Sequence, residues 1–278
     1  MDLDITGRTV LITGASGGIG EETARQLLAE GARVVITDLD EAGLRHAAER
    51  LRGAGGGHGS GGHGSGGVAA AVAADVTSTP DVERLVRAAE EALGGGVDVL
   101  VHTAGTTGAT GAFHELDDDG WLATMDLNFF SAVRLCRLLA PRMAERGWGR
   151  IVLLASEDPL NAYVDDMPYN ASKAALLTTT KGLSKTYGAS GVLVNAVSPA
   201  FIQTDMTDAM MRERAEKDGT TFEEAVEHFL DTERPGIVLR RRGRVEEVAA
   251  VIAFLVSERA SFVTGSNYRV DAGSVAVI

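Results

Sequence analysis

The feature that most restricts the fold lies near the start of the chain. A short apolar run, TVLIT at 9–13, leads straight into GASGGIG at 14–20. The run EETARQLLAEGA then has helical periodicity and ends at Gly31, and RVVITD at 33–38 is a second apolar run closed by Asp38. Strand, glycine turn, helix and strand in this order predict a βαβ unit, because parallel strands need a crossover helix between them. Tight glycine turns in such a unit bring phosphate oxygens to a helix N-terminus. Asp38 follows Gly20 by 18 residues, close to the roughly 20 expected of a carboxylate that holds the adenosine ribose hydroxyls of a dinucleotide. The turn contains no lysine or arginine, and Asp38 would repel a 2′-phosphate. The residues therefore predict NAD in preference to NADP. A phosphate would need a cation such as Arg33 or Arg45 to reach in.

The same alternation continues to the end of the chain. Apolar runs recur at VAAAVAADV, VDVLVHTAG, IVLLA (151–155), GVLVNAVSPAFIQTDM and FVTGSNYRVDAG. Helical patterns lie between them: 41–52, 80–93, about 122–145, the stretch after Asp166, and VEEVAAVIAFLVSE. Alternation of this kind predicts an α/β fold, one doubly wound unit with a mainly parallel sheet and helices on both faces. Asp75 ends the third strand pattern, where its carboxylate could accept from an adenine amino group or satisfy a turn. Two segments stand outside the repeat. The glycine tract 53–67 reads as a flexible surface insertion, and its His58 and His63 lack the further ligands and rigidity of a metal site. The charged helical stretch 205–235 reads as a substrate lid, with a subunit-contact helix pair as the alternative.

Composition narrows the partners. The 39 acidic and 26 basic residues give a net charge of −13, which argues against nucleic acid or an anionic membrane. The lone cysteine, Cys136, excludes an intrachain disulfide and sits in a helical pattern that suits a buried inert thiol. The opening MDLDITGRT is acidic and leads into a strand, so neither a leader nor a membrane span is expected, and the cytoplasm is the expected compartment.

Chemistry concentrates at 156–173. Ser156 follows the apolar run 151–155, at the C-terminal end of a predicted strand, where open α/β sheets place their sites. Tyr169 and Lys173 are four apart on the following helix and so share one face. A nearby ammonium favours the phenolate and should pull the tyrosine pKa down. Hydroxyl, phenol and ammonium together suit proton transfer to or from an alcohol or carbonyl oxygen. Asn128 is an amide between apolar neighbours and should orient a water or bond the backbone. His102, at a strand end, reads as a residue hydrogen-bonded for structure, with a catalytic role as the alternative.

From Gly7 to Gly273 the chain resembles the short-chain dehydrogenase/reductase family. Its Thr-Gly-x-x-x-Gly-x-Gly signature is met by Thr13, Gly14, Gly18 and Gly20, and its acid after the third strand by Asp75. Its catalytic asparagine, serine, tyrosine and lysine resemble Asn128, Ser156, Tyr169 and Lys173, with the serine 13 residues before the tyrosine. Departures occur at His102 and Thr103, where the family has two asparagines, and at Ala200, where it has glycine after Pro199. The resemblance implies a nicotinamide-dependent oxidoreductase acting on a secondary alcohol or ketone. In it Tyr169 moves the proton, Lys173 lowers the tyrosine pKa and holds the nicotinamide ribose, Ser156 orients the substrate oxygen and Asn128 positions a relay water. Cofactor contacts are expected from Gly14, Ser16, Gly18, Ile19, Gly20, Asp38, Leu39, Asp75, Val76, Ala104, Gly105, Tyr169, Lys173, Pro199, Ile202 and Thr204. A homotetramer or homodimer is also implied. An NADPH-dependent 3-oxoacyl-thioester reductase fits the same residues, although Asp38 and the acidic balance speak against it. A dinucleotide-binding regulator without activity would carry degraded catalytic residues, and none is degraded.

Overall fold

The protein is described by a computed structural model covering residues 3–52 and 68–277; the insertion predicted at 53–67, with His58 and His63, lies outside the described residues. The strands are β1 (Thr9–Thr13), β2 (Arg33–Asp38), β3 (Val68–Ala73), β4 (Val99–His102), β5 (Gly149–Leu154), β6 (Val192–Pro199) and β7 (Asn267–Val270). They form one sheet in the order β3-β2-β1-β4-β5-β6-β7, every pairing parallel. The helices are α1 (Gly18–Ala29), α2 (Glu41–Arg50), α3 (Thr79–Leu93), α4 (Asp118–Met125), α5 (Ser131–Glu145), α6 (Asp158–Asn161), α7 (Met167–Tyr187), α8 (Asp205–Asp218), α9 (Phe222–Thr232) and α10 (Val245–Val256).

Both faces of the sheet are buried, which explains why the strands read as unbroken apolar runs rather than as alternating ones. Successive side chains still point to opposite faces. Val10, Ile12, Val34, Ile36, Val99 and Val101 pack with Leu27, Leu28, Leu44, Val248 and Ile252 of α1, α2 and α10. Leu11, Val35, Leu100, Ile151 and Leu153 pack with Leu85, Leu135, Leu139 and Leu176 of α3, α5 and α7 on the other face. The strand order reverses between β1 and β4, whose register pairs Thr13 with His102. That reversal opens a crevice beyond the C-terminal strand ends.

One boundary departs from the sequence reading. The helix predicted from Leu122 begins earlier, at Asp118, because Asp117 caps it by accepting from Gly120 N at 2.8 Å. It then passes through a π turn at Asp126–Phe130 before continuing as α5. Periodicity cannot reveal that extra residue, and such turns gather at functional sites. The stretch 205–235 folds as α8 and α9 around a small core of its own, Phe201, Met211, Phe229, Leu230 and Ile237. No helix among the described residues is long and apolar enough to cross a membrane.

Candidate active site

The crevice holds a cleft of about 650 Å³. One end is made by backbone. Gly14 has φ +65°, and a Cβ there would stand 2.7 Å from Ala104 N. A Cβ on Gly20 would stand 2.3 Å from Gly14 O. The β1 turn, the first turn of α1 and the end of β4 thus touch backbone to backbone, a packing only glycine permits. Ser16, Gly18, Ile19, Asp38, Leu39, Asp75, Val76, Ala104, Gly105, Pro199, Ile202 and Thr204 also line the cleft, so each residue expected to contact a cofactor lies along it. Thr204 caps α8 with its side chain, accepting from Thr207 N at 3.4 Å.

Two carboxylates at this end already have partners. Asp38 Oδ2 accepts from Ser16 N at 3.1 Å, and its Oδ1 accepts from Leu39 N at 2.8 Å and Asp40 N at 3.3 Å. Asp75 Oδ1 accepts from the backbone and the hydroxyl of Thr77, at 2.8 and 2.6 Å, which is the turn-satisfying alternative. Arg33 and Arg45 are turned to other work: Arg33 donates to Leu93 O at 2.5 Å and Arg45 pairs with Glu41 at 2.7 Å. The cation that reaches the glycine turn is Arg50, at the end of α2, donating to Ser16 O at 3.2 Å and to Glu21 at 2.6 Å.

The other end is made by side chains. Ser156, Tyr169 and Lys173 all line it. Lys173 is buried and donates to Leu154 O at 2.8 Å. Burial lowers its ammonium to about 8, against the opposing charge of Asp158. Asn128 is fully buried on the π turn; its amide donates to Thr106 O at 2.9 Å and Ser172 Oγ at 3.2 Å, and its Oδ1 accepts from Thr106 N at 2.8 Å. A Cβ on Gly105 would stand 3.1 Å from Asn128 Oδ1 and 3.4 Å from Lys173 Nζ. Amide, ammonium and the end of β4 therefore converge on one point.

Tyr169 differs from expectation. Its ring lies 5.5 Å from Lys173 Nζ, yet its phenol is pushed up from its ordinary value. Burial is the first cause and the charge of Asp158 the second, with Asp166 and Glu157 adding to it and only a Ser156 hydrogen bond opposing. The spacing correctly brought the two side chains together, but it could not reveal the carboxylates around them.

The sequence leaves open whether Glu157 or Asp158, the charged pair following Ser156, shapes specificity, and the structure sets both beside the site. Ser156 Oγ donates to Asp158 Oδ1 at 2.7 Å. Glu157 is 1% exposed; Asn161 Nδ2 and Tyr163 O–H donate to it at 3.2 and 3.3 Å, and Arg234 stands 3.8 Å away. Burial still pushes Glu157 up to about 7. Arg234 also stacks 3.4 Å over Tyr163, tying the segment after α9 to the loop after β5.

His102 takes the structural role. Ser131 O–H donates to Leu127 O, so Ser131 Oγ accepts from His102 Nε2 at 3.0 Å, and His102 Nδ1 accepts from Thr13 Oγ1 at 2.9 Å. Burial, with a smaller push from Lys173, lowers the imidazole to about 3. Burial pushes the Cys136 thiol up to about 12, and it is inert.

A crevice at the strand reversal, a glycine turn under it and Ser, Tyr and Lys at its far end define a nicotinamide-dependent oxidoreductase. The chain belongs to the short-chain dehydrogenase/reductase family: the family model described as Enoyl-(Acyl carrier protein) reductase matches residues 14–274. A Streptomyces coelicolor protein named "Putative ketoacyl reductase" is 37% identical over 95% of this chain and 95% of its own. L-sorbose reductase from Gluconobacter frateurii, solved with NADPH and L-sorbose, is 32% identical with TM-score 0.90, covering all of both chains. A single-residue variant of actinorhodin polyketide ketoreductase, solved with NADPH, is 34% identical with TM-score 0.85 over 97% of this chain and 98% of its own. These NADPH complexes overturn the NAD expected from Asp38. The physical reason is that the Asp38 carboxylate is held by three backbone N–H groups, and that a guanidinium sequence spacing missed, Arg50, stands at the turn paired with Glu21.

Proposed function

We propose that the protein reduces a ketone to a secondary alcohol with NADPH. The observation that carries this reading is the convergence of Ser156, Tyr169 and Lys173 at one end of a cleft whose other end is a glycine cradle that a Cβ on Gly14 or Gly20 would fill. The cradle suits a dinucleotide pyrophosphate at the N-terminus of α1, and Arg50 supplies a cation for the 2′-phosphate. When bound, NADPH supplies the hydride.

The chain's own groups do the rest. Tyr169 donates its phenolic proton to the carbonyl oxygen, so that the carbon gains hydride, the oxygen gains a proton and an alcohol leaves. Ser156 fixes the oxygen's position. Lys173, buried beside the phenol, steadies the phenolate formed when the proton departs. Asn128 clamps Thr106 in both directions and holds the backbone beside Gly105 against the reacting groups. Helix α8 covers the mouth as a lid, with Met206 and Thr207 facing the cleft and α9 packed behind it on a shared core.

A 3-oxoacyl thioester is the first substrate to test, since two relatives are named for ketoacyl and polyketide ketone reduction. The decisive assay follows loss of reduced-nicotinamide absorbance with NADPH, then NADH, against 3-oxoacyl thioesters, cyclic ketones and keto-sugars. Turnover of at least one class with NADPH supports the reading; none with any class refutes it.

A further inference from the structure

Ser156 carries a single proton, for which the Asp158 carboxylate competes with the Tyr169 phenol. The hydroxyl donates to Asp158 Oδ1 at 2.7 Å while Asp158 N donates back to Ser156 Oγ at 3.3 Å. Both flanking residues are locked into the sheet, Ala155 N donating to Val197 O at 2.8 Å and Glu157 N to Pro199 O at 3.1 Å. The ring of two bonds therefore stands on a fixed backbone. A ketone oxygen can only accept hydrogen bonds, and a serine whose proton is given elsewhere offers it only lone pairs.

Resting on the ketone-reductase reading, we propose that Asp158 is a positioning residue that sets whether Ser156 meets the substrate oxygen as donor or as acceptor. With Asp158 ionised, it draws the serine proton and leaves Tyr169 the sole donor to the ketone. With Asp158 protonated, the carboxyl O–H can donate to Ser156 Oγ, and the serine proton turns to the substrate. The proton on Asp158 comes from solvent and is not consumed.

Several charged or titratable groups face Asp158 from the elements packed around it. Glu157 is its chain neighbour, Tyr163 follows α6, Asp166, Tyr169 and Lys173 come from α7 and its N-cap, and Arg234 comes from the segment after α9. Burial outweighs the Ser156 hydrogen bond and the two cations, and Asp158 holds its proton to a higher pH than an ordinary aspartate. Ketone reduction should therefore fall as pH rises through the Asp158 titration, well before Tyr169 itself ionises.

Three measurements test this. Carboxyl-carbon NMR of the unliganded protein follows Asp158 directly and needs no turnover. Replacing Ser156 by Ala removes a hydrogen bond to the charged form, so the Asp158 pKa should rise further; an unmoved pKa would overturn the proposal. In kinetics, the Asp158→Asn variant should lose the alkaline fall in kcat/KM for ketone and exceed the wild type by ~10-fold on that limb, a fraction of what a full oxyanion donor supplies. An unchanged profile would overturn it. In a Ser156→Ala background, Asp158→Asn should have no further effect, whereas additive effects would mean that Asp158 touches substrate itself. Absence of ketone turnover in the wild type would count against the function assigned above, and the NMR result would still decide the role of Asp158.

Discussion

The two ends of the cleft are built from different materials. At the glycine end main chain shapes the site: Gly14, Gly20 and Ala104 meet at distances that leave no room for a further side chain, and two of its acids, Asp38 and Asp75, accept from backbone N–H groups. At the serine end Ser156, Tyr169 and Lys173 line the cleft, and burial moves Lys173 and the nearby His102 down and Glu157 and Asp158 behind them up. Backbone sites give shape without a pH response. Side-chain sites give charge that can be tuned, which is what proton transfer requires. Binding and chemistry should therefore fail separately when either end is damaged.

The largest effect belongs to the serine end. Tyr169→Phe keeps the ring and deletes the proton donor, so ketone turnover should fall by ~10²–10⁴-fold. Retention of full turnover would move the chemistry elsewhere and dissolve the contrast. Gly20→Ala tests the opposite end: its new methyl would collide with Gly14 O, and relieving that overlap should cost about 1–3 kcal/mol. Nucleotide titration and thermal melting would register that loss, while the pH profile of residual turnover should keep its shape. A smaller change sharpens the cofactor assignment. Arg50→Ala should weaken NADPH by ~10-fold, equivalent to about 1.4 kcal/mol, with NADH little changed; equal losses for both would place the guanidinium away from the 2′-phosphate.

The smallest expected effect is on stability. Glu157 is pushed up to about 7 from 4.5, so between those values the folded state keeps a proton that the unfolded state has released. Its contribution is complete below about 4.5 and is lost as pH rises through about 7. His102 has the opposite sign, being lowered to about 3, so it favours folding more as pH climbs from about 3 towards its ordinary value. Subtracting the Glu157→Gln melting curve from the wild type cancels the histidine. The wild type should lose melting temperature relative to the variant between pH 5 and 8, as this contribution is withdrawn. Parallel curves would mean that Glu157 stays charged throughout.

The same contrast explains what could be read from the chain. Strand and helix order, the glycine turn and the Tyr169–Lys173 pair are local patterns, and each was legible as spacing. The start of α4 was not, because Asp117, Asp118 and Asp119 look like a loop until one of them is seen to cap a helix. The cofactor was misread because a carboxylate's partners are invisible in a sequence: nothing near Asp38 indicates that three amides hold it. Arg50 and Glu21 lie on different helices, and Glu157 meets Arg234 from a distant part of the chain. Pairs of that kind have no spacing to read. Glu157 and Asp158 stand next to Ser156 in the sequence, but their burial is not legible there, and it decides the electrostatics of the site.

Separation of binding from chemistry is tested most directly by titrating NADPH into the Tyr169→Phe protein while its turnover is measured in the same preparation. The division of the cleft predicts NADPH affinity within about threefold of the wild type, a change of roughly 0.6 kcal/mol or less, alongside the collapse in ketone reduction. Loss of affinity in step with turnover would mean that the phenol also holds the cofactor, and that one set of residues does both jobs.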